Sequence, residues 1–356
     1  MDYRSIKFSL ISLLIITSSI AFRIGISSDC STHTPKPATT ASEPLFLDTS
    51  YQTGLSDICI LEYQDIQNNV SSLQSQSVND IVDEAGSTIE SNNQYPVLRS
   101  RDFQGQQVSD YDCQVIVAIL DTGIDTDHRA LNSVVASEIN LTESPAGALD
   151  RYGHGTHIAG IIAAKSEYNP GVQGVAPNCR LFNVKVVDDR GRYNLADLIE
   201  GIRWAVDNGA NVINISLVSG ENSIELEKAI NYAWQNGVII VAAAGNGGTN
   251  TPFYPAAYEH CIAVTAVDDN GNLIPLANYG DWVDIAAPGY RIYSTLPGNT
   301  YGYMYGTSFA TAYISGLAAT LYPSIQDVNN DGKSNDEIRQ YILSNYMEGP
   351  IQPAQN

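Results

Sequence analysis

Residues 152–160 read YGHGTHIAG, two histidines three residues apart in a glycine-rich stretch that leads into an apolar run. Imidazole moves protons near neutral pH and is also a common metal ligand. Zinc-holding histidine pairs on a helix follow HExxH, four apart with a glutamate between them. His154 and His157 are three apart with no glutamate between, so the spacing argues against a metal and leaves proton transfer or packing. Two more stretches carry reactive side chains. In VAILDTGID (117–125) an apolar run ends in Asp121, ahead of a Thr-Gly turn. In YGTSFATAYISG (305–316) Ser308 opens an apolar helix. Taken singly, Asp121 fits a turn or cap and Ser308 an N-cap. A hydroxyl at a helix start also faces the positive end of the helix dipole, which favours negative charge developing there.

The elements that would position these groups are visible in the apolar pattern. Runs at 115–120, 180–187, 211–217, 238–243 and 261–267 read as strands. The stretches 195–208, 224–236 and 309–321 have helical spacing. Near-continuous apolar strands alternating with helices predict an α/β fold with a mostly parallel central sheet and helices on both faces. Reactive groups in such sheets gather beyond the carboxyl ends of strands. Asp121 falls there. So does Asn246 in VAAAGNG (241–247), whose amide can donate to an oxyanion.

In chain order the groups are Asp121, His154 and Ser308. That is the order of the subtilisin triad, distinct from the chymotrypsin and α/β-hydrolase orders. With DTGID, HGTHIAG and GTSFATA all present, the sequence resembles the subtilisin-like serine proteases (subtilases, peptidase family S8) over roughly residues 112–348. The resemblance implies a three-layer subtilisin-like fold and a role for each group. Asp121 would orient His154. His154 would serve as base toward Ser308 and then as acid toward the leaving amine, with Ser308 the nucleophile. Asn246 and the backbone N–H of Ser308 would form the oxyanion hole. His157 would be structural. No cofactor is implied for the chemistry.

The resemblance also implies a substrate cleft. Asn214, Ile215, Ser216 and Leu217 match one wall of the pocket for the residue before the cut, and Ala243, Ala244 and Gly245 match the other. Val218 stands where many relatives have glycine, and Phe253 where others often have a small residue. A preference for small or medium apolar residues is therefore expected. Gly191 to Asn194 matches an edge that takes extended substrate as an added strand, with Arg192 and Tyr193 unusual there. Ala312 replaces a common proline, expected in a first helical turn where proline is not required. Ala130 replaces a calcium-ligating aspartate and the loop 165–171 is built differently, so the calcium site of several relatives is not expected. A peptide-binding pseudoprotease and an exopeptidase of the same family remain as alternatives. An esterase is opposed by the missing GxSxG elbow.

A separate metal candidate is DVNNDGKSNDE (327–337). Asp327, Asn329, Asp331 and Gly332 match the start of an EF-hand-type calcium loop, but position twelve is Ile338, with Glu337 one early. A structural calcium or a solvated turn are both open, the turn using Asn335 or Asp336 to cap a helix at 337–346.

Composition narrows the partners. The 356 residues hold 18 Lys and Arg against 39 Asp and Glu, a net charge of −21 that argues against nucleic acid. Arg4 and Lys7 precede an apolar stretch, Phe8 to Ala21, that fits a secretory leader and is short for a membrane span. Cleavage after Ala21 is expected, with a secreted or extracytoplasmic destination; an uncleaved anchor is the route to membrane association. Residues 22–111 are polar and read as a pro-segment or extension, with a Ser/Thr/Pro-rich linker at 31–50 and a processing region at Leu98–Arg99–Ser100–Arg101. The peptidase domain is placed at 112–350. Five cysteines leave at least one unpaired in a monomer, the expected state, and none has CxxC spacing. Cys179 and Cys261 fit buried small hydrophobes as well as a disulfide. Polypeptide substrates are the expected partners.

Overall fold

The computed structural model describes residues 115–346 apart from 166 and 168–171, together with the backbone of Ile58–Cys59. All of these fall within one unit, Gly54–Asn356. The leader, the linker, the Leu98–Arg101 region, Cys30 and Cys113 lie outside the described residues.

The strands are β1 (Ile58–Cys59), β2 (Ile116–Asp121), β3 (Val135–Asn140), β4 (Arg180–Lys185), β5 (Arg192–Tyr193), β6 (Val212–Ile215), β7 (Ile239–Ala243), β8 (Cys261–Val267), β9 (Ile285–Pro288), β10 (Ile292–Leu296) and β11 (Thr300–Met304). The helices are α1 (His154–Ala163), α2 (Leu195–Asp207), α3 (Ile224–Gln235), α4 (Thr307–Leu321) and α5 (Asn335–Tyr346). Seven parallel strands form the sheet, in the order β3-β4-β2-β6-β7-β8-β9. Every residue of β6, β7 and β8 is buried, as a parallel sheet covered on both faces requires. Alternation sorts the side chains. Val117, Ile119, Val212, Val241 and Ile262 pack with α1 and α4, whereas Leu120, Ile213, Ile215, Ile240 and Ala242 pack with α2 and α3. The α/β fold expected from the apolar pattern is the fold observed.

After β2 the chain builds β3 and β4 on one side of it, then crosses to build β6 to β9 on the other. The strand order therefore reverses at β2, and a crevice opens at the carboxyl end of strands at such a point. Asp121, the last residue of β2, sits at that end.

Several boundaries differ from expectation. Helix α4 begins at Thr307 behind Gly306, not at Phe309, so Ser308 is its second residue. Ala312 consequently lies in the second turn rather than the first, where proline would remove a helical hydrogen bond. Helix α5 begins at Asn335, two residues before Glu337. Strand β3 and the β10–β11 hairpin carry too many polar residues to stand out as apolar runs; β3 alternates between half-buried and exposed positions over most of its length. Cys179 and Cys261 are both buried, 2% and 0% exposed. They belong to different core clusters on opposite faces of the sheet, so they are not bonded to each other.

Candidate active site

Asp121 is fully buried. Its two oxygens lie 2.8 and 3.0 Å from His154 Nδ1, and Thr122 N donates to Oδ1 at 2.7 Å. A carboxylate can only accept, so Nδ1 carries the proton and Nε2 keeps the lone pair a base needs.

His154 is the first residue of α1. Two glycines of the motif have physical reasons. A Cβ on Gly155 would collide with the carbonyl oxygen of Gly123 and crowd Asp121 Oδ1, so only glycine lets the helix approach the Asp121 turn this closely. A Cβ on Gly160 would collide with the hydroxyls of Ser294 and Thr295 on β10. Those hydroxyls donate to the backbone carbonyls of His157 (2.9 Å) and Thr156 (2.7 Å), fastening the hairpin to α1.

His157 is placed differently. Its Nε2 donates to the carbonyl of Gly302 at 3.2 Å, and its ring meets Phe309 edge-on at 4.8 Å between centroids. Burial pushes its pKa down to about 3, against the pull of the Gly302 carbonyl. A histidine held neutral this firmly packs well and shuttles protons poorly.

Phe309 also touches the His154 ring, at 5.4 Å between centroids. That contact brings Ser308, its neighbour, to the end of α1 that holds His154. Asn246 Oδ1 accepts from Thr307 N at 3.0 Å and from Thr307 Oγ1 at 3.1 Å. The amide is thus locked with its donor end turned away from Thr307. Gly245 N also donates to Thr307 Oγ1, at 3.1 Å. Asn278 braces the same loop: its Oδ1 accepts from Gly247 N (2.9 Å) and Thr249 N (3.1 Å), and its Nδ2 donates to the Ala244 carbonyl (2.8 Å). Thr307 and Asn278 were not picked out from sequence. Thr307 lies inside the GTSFATA motif and was readable there; Asn278 has no local signal.

The candidate cleft residues have the following surroundings. Ser216 Oγ donates to the Ser308 carbonyl at 3.3 Å and accepts from Asn214 Nδ2 at 3.1 Å, tying the wall after β6 to α4. Leu217 is buried in the core, 2% exposed. A Cβ built on Gly245 would lie 3.5 Å from Val218 Cγ1, so Val218 faces the opposite wall. Phe253 lies beside Gly220 at the outer end of the wall, held there by the paired backbones of Ser219 and Tyr254. Gly191 packs against the ring of Tyr152, two residues before His154, and Tyr193 OH donates to the Val218 carbonyl at 2.9 Å. Strand β5 therefore borders the site, and β1 pairs with it antiparallel: Ile58 opposite Tyr193, Cys59 opposite Arg192.

The acidic loop lies elsewhere. Asp327 accepts from Asn330 N and Gly332 N at 2.7 and 2.8 Å. Asn329 accepts from Asp331 N at 2.8 Å, and Asp331 from Lys333 N at 2.9 Å. These oxygens hold their own turn together. Among the described residues no group of three or more His, Cys, Asp and Glu side chains is arranged to hold a metal ion. Ala130 is buried in a short 3₁₀ turn, its carbonyl accepting from Lys165 N at 3.0 Å.

Comparison with known proteins agrees with the geometry. The model of the subtilase family matches residues 112–354. The chain is 44% identical over 226 residues to a thermophilic serine proteinase of Bacillus sp. (strain AK1), covering 64% of this chain and 55% of that protein. It is 40% identical over 226 residues to thermitase of Thermoactinomyces vulgaris, covering 64% and 78%. With subtilisin BL of Lederbergia lenta it shares 40% identity over 249 residues, covering 70% and 87%. A family match over most of its length, with identities of this size, establishes that the chain belongs to the subtilase family, peptidase family S8.

Proposed function

We propose that the protein is an exported serine endopeptidase that cuts polypeptides through an acyl-enzyme. The observation that carries this is the buried Asp121–His154 bond, 2.8 Å, beside a serine in the first turn of a helix. In the proposed cycle His154 Nε2 takes the Ser308 proton as Oγ attacks the scissile carbonyl. Asp121 supports the imidazolium that forms. The oxyanion is met by the Ser308 N–H, the Asn246 amide and the positive end of α4. His154 then returns the proton to the leaving amine, and water repeats the sequence on the ester. A fluorophosphonate probe is expected to label the native chain on the peptide containing Ser308, mapped by mass spectrometry. No label, or label on another serine, would overturn the proposal.

Asn246→Ala is expected to lower kcat by about 10²–10³-fold with little change in KM, because its donor acts on charge present only in the transition state. Steady-state kinetics on a peptide anilide check this. The pocket is proposed to favour small or medium apolar residues before the cut, since Val218 faces Gly245 across it. A peptide-library profile dominated by Phe or Tyr at that position is the contrary result.

The strand pairing at β5 shows that this edge accepts an extended segment, which supports an endopeptidase that binds substrate as an added strand there. It equally supports a pro-segment within residues 22–111, since Ile58–Cys59 takes that edge. N-terminal sequencing of the active protein is expected to begin beyond Cys59, and of the exported precursor after Ala21. The chemistry is proposed to need no cofactor. For the 327–337 loop we propose a capped turn whose Asp and Asn oxygens accept from its own backbone N–H groups, and calorimetric titration with calcium on the native chain and Asp331→Ala is expected to give the same trace.

A further inference from the structure

Asp121 and His154 stand on separate elements, β2 and α1, and their bond depends on how the turn after β2 sits against the first turn of α1. One buried carboxylate from a third segment bonds to both turns. Asp150 is 2% exposed, and its carboxylate accepts five hydrogen bonds. Oδ1 takes Tyr152 N and Gly153 N, both at 2.8 Å, and Thr122 Oγ1 at 3.0 Å. Oδ2 takes Thr156 N at 2.9 Å and Thr156 Oγ1 at 2.6 Å. The donors lie on both sides of His154 in sequence and next to Asp121. Thr122 closes the circuit, because its Oγ1 also accepts from Gly155 N at 2.9 Å.

The N-cap residue of the helix is Gly153, at φ 104°, with no side chain to offer, so first-turn N–H groups turn to side chains from outside the helix: Gly155 N to Thr122 Oγ1 and Thr156 N to Asp150 Oδ2. The opposite side of the turn is braced by Lys185, fully buried. Its Nζ donates to the Thr122 carbonyl and, at 3.4 Å, to the Leu149 carbonyl, and pairs with Asp189 at 3.0 Å. One buried carboxylate thus accepts from both turns, and one buried ammonium ties the Thr122 carbonyl to the Leu149 carbonyl just before Asp150.

We propose that Asp150 is a positioning residue for the reaction: it holds the first turn of α1 against the Asp121 turn so that His154 Nδ1 meets the Asp121 carboxylate. This rests on the triad proposal. It goes further than helix capping. A cap lost alone lowers thermal stability and leaves kcat unchanged, whereas a misplaced His154–Asp121 pair lowers kcat in a folded protein, about 10- to 100-fold for displacements of an ångström or less.

The test is Asp150→Asn in the full chain, which turns an NH₂ toward groups that are themselves donors. Three readouts are needed: kcat and KM on a peptide anilide, fluorophosphonate labelling rate, and the low-field proton resonance of His154 Nδ1–H, all below the variant's melting transition. The expected result is kcat and labelling down about 10- to 100-fold, KM within about twofold, and a Nδ1–H resonance shifted or broadened. Thr122→Val, which keeps Asp150 and four of its donors but removes the link from Asp150 to the Asp121 turn and the acceptor of Gly155 N, is expected to show a smaller loss of the same kind. A folded Asp150→Asn with native kcat and native resonance overturns the proposal. If Asp150→Asn does not fold, Thr122→Val decides, and native values in it overturn the proposal. A native chain that the probe does not label overturns the triad proposal, and this one with it; a labelled native chain with an unaffected Asp150→Asn overturns this one alone.

Discussion

His154→Ala is expected to reduce turnover on the order of 10⁶-fold, with the fold retained. In the proposed cycle the imidazole accepts the Ser308 proton and returns it to the leaving amine, so its loss removes both transfers. His157→Ala is expected to act differently. The deletion removes a buried ring from Phe309 and a bond to the Gly302 carbonyl, an effect of about 2–4 kcal/mol on stability with a far smaller effect on kcat. Thermal denaturation and peptide-anilide kinetics on both variants separate the roles. Equal loss of turnover in two folded variants would show that the roles are wrongly divided.

His157 also carries a pH signature. Its folded pKa, about 3, lies below the ordinary 6.5 because burial disfavours the charged ring. Above pH 6.5 neither state binds the proton and the contribution of His157 is fully present. As pH falls from 6.5 toward 3 the unfolded chain takes up a proton that the folded chain refuses, so stability is lost through that window. Replacing His157 with asparagine is expected to flatten this part of the acid-unfolding curve.

Asp121→Asn is expected to lower kcat by about 10⁴-fold with little change in fold. The carboxylate fixes the proton on Nδ1, whereas an amide can present its NH₂ to Nδ1 and drive the proton to Nε2. A base whose lone pair points away from Ser308 cannot take its proton. Nitrogen chemical shifts of His154 report the tautomer directly, beside kcat. Turnover within about tenfold of native would mean that Asp121 does not set the tautomer.

Much of the architecture was legible in the chain. The apolar runs of β6, β7 and β8 are buried along their whole length, so no alternation blurs them. The pro-segment assignment has no such handle, because most of residues 22–111 lie outside the described structure. The helix starts were harder. Thr307 and Ser308 belong to α4 because Gly306, at φ 139°, turns the chain just before them. A Gly-Thr-Ser string reads as loop when that turn is unseen. Strand β3 and the β10–β11 hairpin escaped because their polar positions face solvent or bond the backbone of α1.

By itself the sequence determined the central strands β2, β4, β6, β7 and β8 and the helices between them, that the sheet is mostly parallel, and which aspartate, histidine and serine could share a site. These follow from local pattern and from short motifs read directly off the chain. Only the tertiary structure decided what holds the site together. Asp150, Lys185 and Asn278 each sit in stretches that read as ordinary turns or strands. Their partners lie up to 63 residues away, as from Lys185 to Thr122. A buried polar group gains its role from the donors and acceptors that folding brings to it, and those are not adjacent in the chain.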